Sequence, residues 1–469
     1  MSELKGACII GQSGGPTSVI NASAYGVIRT ALDSDCITAV YGAEHGIKGV
    51  LADRLFDMSK EDARELELLK YTPSSALGSC RYKIADPDVD DTDYKRILEV
   101  FKKHDVRYFF YNGGNDSMDT CNKISKYMQK VGYECRVMGV PKTIDNDLFG
   151  TDHCPGYASA AKYIATSCME VYQDARVYDT GMICIIEIMG RHAGWLTAAA
   201  ALATEYGAGP DLIYLPERDF DMDKFLADVE RVYKEKGNCM VAVSEGIHYA
   251  DGSFVSEAKT SASDGFGHAQ LGGLAALLAS IVKEHFPGVK VRGIELSLLQ
   301  RCGAHLASKV DIDEAFGAGE EAVKQAVSGC TGCRVRIALR SRVLVELLRH
   351  GVERLLNLFG GCLDGCKVGA LLGGLQLLDG FLDGGLLSLC DLVAHLVQGL
   401  FGLVDDLVGV VAGVDLVLAG LVLCRILLGL LDGLVDILLR EVRRSGDGDL
   451  LLCAGAKVLR GDIHDAVRV

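Results

Sequence analysis

The feature that most constrains the fold is a pattern that recurs up to about residue 327. A short apolar run ends in glycine or polar residues, and a helix-like stretch follows. Short apolar strands alternating with helices predict an α/β fold built on parallel sheets. Ligands of such sheets bind beyond the carboxyl ends of the strands, so we expect the turns after these runs to converge on one cleft. The apolar runs are residues 7–10, 108–111, 137–140, 183–188 and 240–243.

Charge and cysteine content narrow the class of protein. The 469 residues carry a formal net charge of −15, which argues against a non-specific nucleic-acid binder. The 17 cysteines have no regular spacing, which favours free thiols in a reducing compartment over a disulfide framework. Residues 1–6 are polar and lead straight into the first apolar run, unlike a secretory signal. We therefore expect a cytoplasmic protein with no membrane or nucleic-acid partner.

The character of the sequence changes at about Cys330. After Cys333 the chain contains no Pro, Tyr, Trp or Met, and Leu, Gly, Val and Asp dominate. A membrane span needs about 18 apolar residues with few charges, and charged residues interrupt the longest candidate here. We interpret residues 331–469 as coding sequence read in a shifted frame; the alternative is a genuine hydrophobic extension. Mass spectrometry of the natural protein, searching for tryptic peptides beyond Cys333, distinguishes the two.

A glycine-rich turn, Gly-Gln-Ser-Gly-Gly-Pro-Thr-Ser, occupies residues 11–18 between the first apolar run and a helix expected over 18–32. Glycines in such a turn let backbone N–H groups approach a phosphate, and the N-terminus of the helix favours an anion there. A tight strand-to-helix turn without a ligand explains the same residues equally well. No GxxxxGK[ST] sequence occurs in the chain, so the turn is not a P-loop.

A second glycine turn, Asn-Gly-Gly-Asn over residues 112–115, follows the run 108–111. It places Asp116 just before a helix expected from Ser117, where a phosphate tail would lie if the turn binds an anion. The alternative is an Asx-type turn that caps the helix.

The most specific segment is Gly-Val-Pro-Lys-Thr-Ile-Asp-Asn-Asp, residues 139–147. Asp145 and Asp147 lie two residues apart and close to Lys142. A hydroxyl that attacks phosphorus must lose its proton, and a positioned carboxylate base typically contributes about 10²–10⁴-fold. The lysine would offset charge on the transferring phosphoryl oxygens. Taken alone, such a polar loop is more often structural.

Basic residues outside these turns are further candidates. Guanidinium groups suit phosphate recognition, although each arginine alone is more often a solvated surface charge. Glu245, directly after an apolar run, either accepts hydrogen bonds from sugar hydroxyls or caps a helix. The candidate arginines are Arg81, Arg191, Arg292 and Arg301.

Taken together and in this order, the motifs resemble those of the phosphofructokinase family, specifically its pyrophosphate-dependent branch, over about residues 5–328. The resemblance implies phosphoryl transfer to the 1-hydroxyl of fructose 6-phosphate in glycolysis, giving fructose 1,6-bisphosphate. It also implies two Rossmann-like parallel-sheet domains with the active site in the cleft between them. The expected domains are residues 1–150, completed by about 255–300, and 151–330, with 331–469 as the atypical tail.

The resemblance implies a role for each candidate residue. Asp145 would be the base that takes the proton from the hydroxyl, and Gly15 and Arg81 would contact the transferred phosphoryl group. Arg292 and Arg301 would bind the 6-phosphate, partly across a subunit interface, which implies a homodimer or homotetramer. Fructose 6-phosphate would also be held by Thr143, Met189, Gly190, Arg191 and Glu245. Ile144 and Asp147 are further candidates for substrate binding.

The choice of donor depends on two positions, since ATP-using relatives carry glycine where this chain has Asp116 and Lys142. A carboxylate at 116 would repel the α-phosphate of ATP and fill its space. Lys142 would stabilise the pyrophosphate leaving group. The resemblance also implies Mg²⁺, but Asn115 stands where the family commonly has a metal-binding aspartate. A neutral amide binds Mg²⁺ more weakly, so Asp147, water and pyrophosphate would complete the metal site.

Three alternatives stay open at this point. The chain could be an ATP-dependent 6-phosphofructokinase, a non-catalytic subunit that regulates an active relative, or the product of a disrupted gene. Turnover with each donor separates the first alternative from the pyrophosphate-dependent enzyme. Ligand binding without turnover would indicate the second, and aggregation together with missing tail peptides would indicate the third.

Overall fold

The computed structural model describes residues 4–256 and 272–337, which belong to one compact unit, Met1–Leu339. From position 338 onward the expected tail lies outside the described residues, so the structure does not test the interpretation that it is read in a shifted frame. The strands are β1 (Gly6–Gln12), β2 (Ile37–Ala43), β3 (Leu55–Asp57), β4 (Val106–Gly113), β5 (Arg136–Pro141), β6 (Ile183–Ile188), β7 (Leu212–Tyr214), β8 (Cys239–Ser244), β9 (Val291–Glu295) and β10 (Cys333–Arg334). The α-helices are α1 (Ile20–Leu32), α2 (Ile47–Ala52), α3 (Ala63–Leu68), α4 (Thr92–Lys103), α5 (Asn115–Lys130), α6 (Tyr157–Asp174), α7 (Trp195–Ala199), α8 (Met222–Lys236), α9 (Leu274–His285), α10 (Leu299–Cys302) and α11 (Lys309–Ser328).

The first sheet has the strand order β10-β5-β4-β1-β2-β3. Its neighbouring strands are parallel, except that β2 and β3 pair antiparallel. Every residue of β1 is buried, because apolar clusters pack on both faces of this central strand. A strand covered on both faces has a nearly continuous apolar sequence, which is why residues 7–10 stand out.

The second sheet has the order β7-β8-β6-β9, and all of its strands are parallel. Its two central strands, β6 and β8, are entirely buried between two further apolar clusters. The prediction of an α/β fold with two parallel sheets is therefore confirmed.

Within the described residues, the first sheet is completed by a later segment than the expected residues 255–300, of which 257–271 lie outside the described part. Within that range β9 joins the second sheet, whereas α11 and β10 return to the first sheet, with Cys333 paired to Met138. The physical reason is close packing of α11 on α1. A Cβ atom added to Gly319 would lie 2.1 Å from the carbonyl oxygen of Ser23, so glycine is what permits this approach.

Two helices begin at residues other than those predicted from the sequence. The helix expected from Ser18 begins at Ile20, and the hydroxyl of Ser18 instead donates to the carbonyl of Arg301 at 3.4 Å. The helix expected from Ser117 begins at Asn115, directly after an extended glycine. The earlier start brings Asn115 into the first turn of α5.

No helix within residues 4–256 and 272–337 is long and apolar enough to cross a membrane. The twelve cysteines in these ranges are free thiols, and nine of them are buried. Burial raises the pKa of the Cys8 thiol to about 12, so it stays protonated and packs as a small apolar side chain.

We expect Gly319→Ala to destabilise the fold by about 1–3 kcal/mol, because the new methyl group would overlap the Ser23 carbonyl at 2.1 Å. The matched control is Gly317→Ala on the same helix, where no neighbouring atom lies within 4 Å of the added Cβ. That change should stabilise the protein by about 0.5–1 kcal/mol, since alanine loses less backbone entropy on folding. Urea unfolding measures both effects, and similar values for the two variants would contradict the described packing.

Candidate active site

Turns at the carboxyl ends of strands from both sheets supply the candidate site. The Asp145 carboxylate interacts electrostatically with Glu245 and Arg191, so the turns of the two sheets lie close together. We call residues 13–18 the glycine turn and residues 142–147 the lysine–aspartate loop. The turns are 13–18 after β1, 114–116 after β4, 142–147 after β5, 189–191 after β6 and 245–246 after β8.

Lys142 joins the two glycine-containing turns of the first sheet. Its side chain is buried, and Nζ donates to the carbonyl oxygen of Gly15 at 2.6 Å. A Cβ atom added to Gly14 would lie 3.4 Å from Nζ, so the lysine packs directly against the glycine turn. The backbone N–H of Lys142 donates to the carbonyl of Gly113 at 3.1 Å. One residue thus fixes the ends of β1, β4 and β5 relative to each other.

The ammonium group of Lys142 belongs to a cluster of cations. Burial lowers the pKa of Lys142 to about 8; Arg301 and Arg81 contribute to this shift, while Asp145 and Asp147 oppose it. A lysine with this pKa remains largely protonated at pH 7. Three cationic groups beside one turn favour a ligand that carries several negative charges.

The backbone of the lysine–aspartate loop is held by the segment that follows it. Thr143 donates its N–H to the carbonyl of Pro155 at 3.2 Å and forms an isolated bridge with Gly156. Asn146 adopts a left-handed conformation with φ of 57°, which asparagine tolerates. Its Oδ1 accepts a hydrogen bond from the N–H of Cys154 at 2.8 Å. The loop's first aspartate is therefore positioned from both sides.

Asp145 has the properties of a general base. Burial raises the pKa of Asp145 to about 6, and the carboxylates of Asp147 and Glu245 add to this shift, while nearby cations oppose it. A base is most effective when its pKa lies near the working pH. Titratable groups perturbed by burial and by specific charges are typical of catalytic sites.

Asn115 and Asp147 form an oxygen-rich pair beside this base. Asn115 Nδ2 donates to Asp147 Oδ2 at 2.8 Å. The side-chain amide oxygen of Asn115 and the carboxylate of Asp147 are oxygen ligands of the kind that Mg²⁺ binds. Substrate phosphates would supply further ligands. Within the described residues, no group of three or more His, Cys, Asp or Glu side chains could hold a metal ion by itself.

Asp116 lies in the first turn of α5, next to Asn115. Its side chain is half-buried. The partial positive charge at a helix N-terminus stabilises a carboxylate there, whether or not the carboxylate also repels a ligand. The position alone is therefore compatible with both a capping role and a role in donor choice.

The turns after β6 and β8 are joined by side-chain hydrogen bonds. Met189 donates its N–H to Gln300 Oε1 at 3.1 Å. Gly190, with φ of 140°, donates its N–H to Glu245 Oε1 at 3.4 Å and accepts from Ser244 Oγ at 2.5 Å. Burial raises the pKa of Glu245. These contacts fix a half-buried carboxylate beside the Met-Gly-Arg turn.

Three of the predicted arginines lie on or beside these turns. The position of a Cβ atom on Gly15 would be 3.0 Å from Arg301 Nη1. Burial lowers the pKa of Arg301, and the neighbouring guanidinium of Arg81 adds to the shift. Arg191 is fixed through its backbone, because a Cβ atom on Gly246 would lie 1.9 Å from its carbonyl oxygen.

Two predicted residues lie apart from the cluster. Arg292 is exposed on β9 and pairs with Cys184, the second residue of β6, so it lies toward the amino ends of these strands. The side chain of Ile144 is buried in an apolar cluster of the second sheet, where it contributes to packing. The other predicted residues lie on or beside the turns that converge.

Sequence reasoning missed three buried polar residues that support the turns: Ser244, Gln300 and Asp311. Their hydrogen bonds to Gly190, Met189 and Gly156 join residues 54 to 155 positions apart along the chain, so no local pattern identifies them. The one available signal is that Ser244 and Gln300 directly precede the candidates Glu245 and Arg301.

Glycine turns at the ends of parallel strands, a cluster of cations and a half-buried base define an α/β enzyme built for phosphoryl transfer. The particular family follows from comparison with known proteins. The phosphofructokinase family matches residues 7–325. This chain belongs to that family, as the order of its motifs predicts.

Individual relatives agree with this assignment. A pyrophosphate–fructose 6-phosphate 1-phosphotransferase of Xanthomonas campestris pv. campestris is 49% identical over 330 residues, covering 69% of this chain and 77% of the relative. The protein of that name from Halomonas elongata is 47% identical over 322 residues, covering 68% and 76%. The crystal structure of the pyrophosphate-dependent phosphofructokinase from Nitrosospira multiformis is 42% identical, with a TM-score of 0.61 over 70% of this chain and 78% of that chain.

A second family, described as NAD-specific glutamate dehydrogenase, matches residues 369–469. These residues lie outside the described part of the chain and make up less than a quarter of its 469 residues. The match therefore does not alter the assignment of residues 7–325.

We expect Mg²⁺ to raise the Tm of the protein and Asn115→Asp to increase that rise. In the wild type, Asn115 Nδ2 lies 2.8 Å from Asp147 Oδ2, so a carboxylate at position 115 would face the carboxylate of Asp147. A bound cation would relieve the repulsion between the two carboxylates. The control Asp147→Asn should reduce the Mg²⁺ effect below that of the wild type. Thermal unfolding with MgCl₂, against NaCl at equal ionic strength, gives the comparison. Equal Mg²⁺ effects in all three proteins would refute this placement of the metal.

Proposed function

We propose that this protein transfers a phosphoryl group from pyrophosphate to the 1-hydroxyl of fructose 6-phosphate. The products are fructose 1,6-bisphosphate and phosphate. The reaction is reversible and belongs to glycolysis. The proposal rests chiefly on the lysine–aspartate loop. There the buried ammonium group of Lys142 interacts with the carboxylate of Asp145, three positions later in the chain, whose pKa is raised. The names of relatives at 47% and 49% identity support the same reaction.

The chemistry needs a base on the sugar side and cations on the donor side. Asp145 accepts the hydroxyl proton as the oxygen attacks phosphorus; a new P–O bond forms and the bridging P–O bond of pyrophosphate breaks. Lys142, with Gly15 and Arg81 at the transferred group, stabilises oxygens whose negative charge grows. Pyrophosphate has no nucleotide to bind, so more of the stabilisation must come from charges at the reacting centre.

We assign the sugar to the turns of the second sheet and the start of the lysine–aspartate loop. The carboxylate of Glu245, already oriented by the N–H of Gly190 at 3.4 Å, accepts hydrogen bonds from sugar hydroxyls. Arg191 adds a cation on the same side. The remaining contacts are Thr143, Met189 and Gly190, with Ile144 acting through its backbone.

The 6-phosphate is assigned to Arg301 and Arg292. Arg301 lies near Gly15 and Arg81, so its guanidinium also adds positive charge to the donor side. Arg292 is exposed and lies away from the cluster of its own chain. We therefore assign it to the sugar phosphate bound by a neighbouring copy, in a homodimer or homotetramer.

Phosphofructokinases generally use Mg²⁺, and we propose that Asp147 and Asn115 hold the ion together with oxygens of pyrophosphate and water. The ion would neutralise charge on the donor. We also place the protein in the cytoplasm, where its free thiols would remain reduced.

Donor choice is assigned to Asp116 and Lys142. Asp116 adds a carboxylate at the start of α5, three residues after Gly113, whose carbonyl accepts a hydrogen bond from the N–H of Lys142. A nucleotide would bring its α-phosphate toward that carboxylate, whereas the shorter pyrophosphate would not.

The direct test supplies the purified protein with fructose 6-phosphate, Mg²⁺ and either pyrophosphate or ATP. We expect faster turnover with pyrophosphate. Faster turnover with ATP would identify an ATP-dependent phosphofructokinase instead. Binding of fructose 6-phosphate without turnover by either donor would identify a non-catalytic subunit.

Asp116→Gly should raise kcat/KM for ATP by roughly tenfold or more, because it removes both the repulsion and the bulk at the α-phosphate. The matched control is Asp119→Gly on the same helix, whose carboxylate pairs with Lys123 at the surface. Steady-state assays with ATP as the variable substrate measure the change. An unchanged ATP rate in Asp116→Gly would remove this residue from the account of donor choice.

Asp145→Asn should lower kcat by about 10²–10⁴-fold while fructose 6-phosphate still binds. The wild-type kcat/KM should fall as pH drops below about 6, since the pKa of Asp145 is raised to about 6 and the base must be ionised. The variant should lack that acid limb. Rates across pH 5–9 and calorimetric titration with the sugar phosphate test the two parts. A variant with near wild-type kcat would show that another group is the base.

A further inference from the structure

We propose that Asp311 is a positioning residue for phosphoryl transfer. It holds residues 154–159, the segment that supports the lysine–aspartate loop, without touching the reacting atoms. We call residues 154–159 the support segment. The inference rests on the proposed function and adds to it a residue on α11 that none of the sequence motifs includes.

The carboxylate of Asp311 is fully buried and accepts three hydrogen bonds from the support segment. Oδ1 accepts from the N–H of Gly156 at 2.9 Å. Oδ2 accepts from the N–H of Ser159 at 2.9 Å and from its hydroxyl at 2.5 Å. The N-cap of α6 is Gly156, which has no side chain, so a carboxylate from a distant helix satisfies N–H groups at this helix start.

The support segment transmits this constraint to the lysine–aspartate loop. Gly156 forms a bridge with Thr143, and the preceding Pro155 accepts the N–H of Thr143 at 3.2 Å. Cys154 donates its N–H to Asn146 at 2.8 Å. Both neighbours of the segment Ile144-Asp145 are therefore bound to the support segment, whose Gly156 and Ser159 donate to the Asp311 carboxylate.

The same glycine also lies against the donor side. A Cβ atom added to Gly156 would lie 2.7 Å from Cγ2 of Thr17, in the glycine turn. Thr17 Oγ1 in turn accepts the N–H of Val19, directly before α1. Asp311 therefore anchors the backbone at the place where the glycine turn and the lysine–aspartate loop meet, and its loss should change the alignment of donor and base.

A second tie joins α11 to the chain just before the support segment. His153 Nε2 pairs with Glu314 Oε2, one helical turn after Asp311. Because this pair would remain in an Asp311 variant, we expect the region to shift while staying folded.

The test compares Asp311→Asn with Asp313→Asn on the same helix, where Asp313 is exposed and paired with Lys309. An amide of the same shape has one acceptor oxygen, so it cannot accept all three hydrogen bonds. We expect kcat to fall by roughly tenfold to a hundredfold in Asp311→Asn, with KM for both substrates within about twofold, because misplacement affects the reaction more than ground-state binding. Asp313→Asn should behave as wild type.

Ser159→Ala provides a milder variant should Asp311→Asn fail to fold. It removes one of the three hydrogen bonds to Asp311, and also the one that Ser159 Oγ accepts from the N–H of Ser308 at 3.1 Å. The N–H groups of Gly156 and Ser159 still donate to the carboxylate, so we expect a smaller fall in kcat with the same unchanged KM. Wild-type kcat in a folded Asp311→Asn protein, or in Ser159→Ala when that variant alone folds, would overturn the proposal. An activity loss that only follows the fraction of unfolded protein would overturn it as well.

Amide hydrogen exchange separates this proposal from the proposed function. In Asp311→Asn the N–H groups of Thr143 and Cys154 should exchange faster than in the wild type, while those of β8 remain protected. This holds whichever substrates the enzyme uses. Inactivity of the wild type with pyrophosphate would overturn the proposed function, whereas unchanged exchange at Thr143 and Cys154 would overturn the positioning role of Asp311.

Discussion

The ammonium group of Lys142 lies buried between the glycine turn and two carboxylates, and this interaction organises the site. Removing a cation from water costs several kcal/mol unless hydrogen bonds and opposite charges compensate. Here the Gly15 carbonyl at 2.6 Å and the nearby Asp145 and Asp147 provide that compensation. The same group lies beside Arg301 and Arg81, so the cluster retains an excess of positive charge suited to a phosphate-rich donor.

Two parallel sheets make this arrangement possible because the turns of each sheet contribute different functional groups to the site. The first sheet contributes the glycine turn and the lysine–aspartate loop, whose backbone groups and charges suit the donor. The second contributes Glu245 and Arg191, which suit a polyhydroxylated sugar phosphate. Asp145 connects the halves: its pKa responds to Lys142 on one side and to Glu245 on the other. In-line transfer requires a base that reaches the acceptor hydroxyl while the oxygen of that hydroxyl faces the donor phosphorus, and Asp145 lies where the two sets of turns meet.

The sequence predicts the central strands and the site turns, because both leave local signals. Buried strands such as β1 have nearly continuous apolar sequences, and glycine or polar residues follow within two positions of the ends of the strands that form the site. Long-range packing leaves no such signal. The return of α11 to the first sheet depends on Gly319 meeting α1, almost 300 residues earlier in the chain, and Asp311 binds backbone 155 residues away. The exposed position of Arg292 could likewise not be predicted from the sequence, because it depends on the register in which β9 pairs with β6.

A crystal structure of the protein with pyrophosphate and Mg²⁺ tests the central claim most directly. We expect an oxygen of pyrophosphate at about 2.7–2.9 Å from Lys142 Nζ, taking up the ammonium group that now binds the Gly15 carbonyl, with the second phosphate directed away from Asp116. Pyrophosphate bound elsewhere, with Lys142 still on Gly15 and both Lys142 and Asp116 remote from the ligand, would contradict the account.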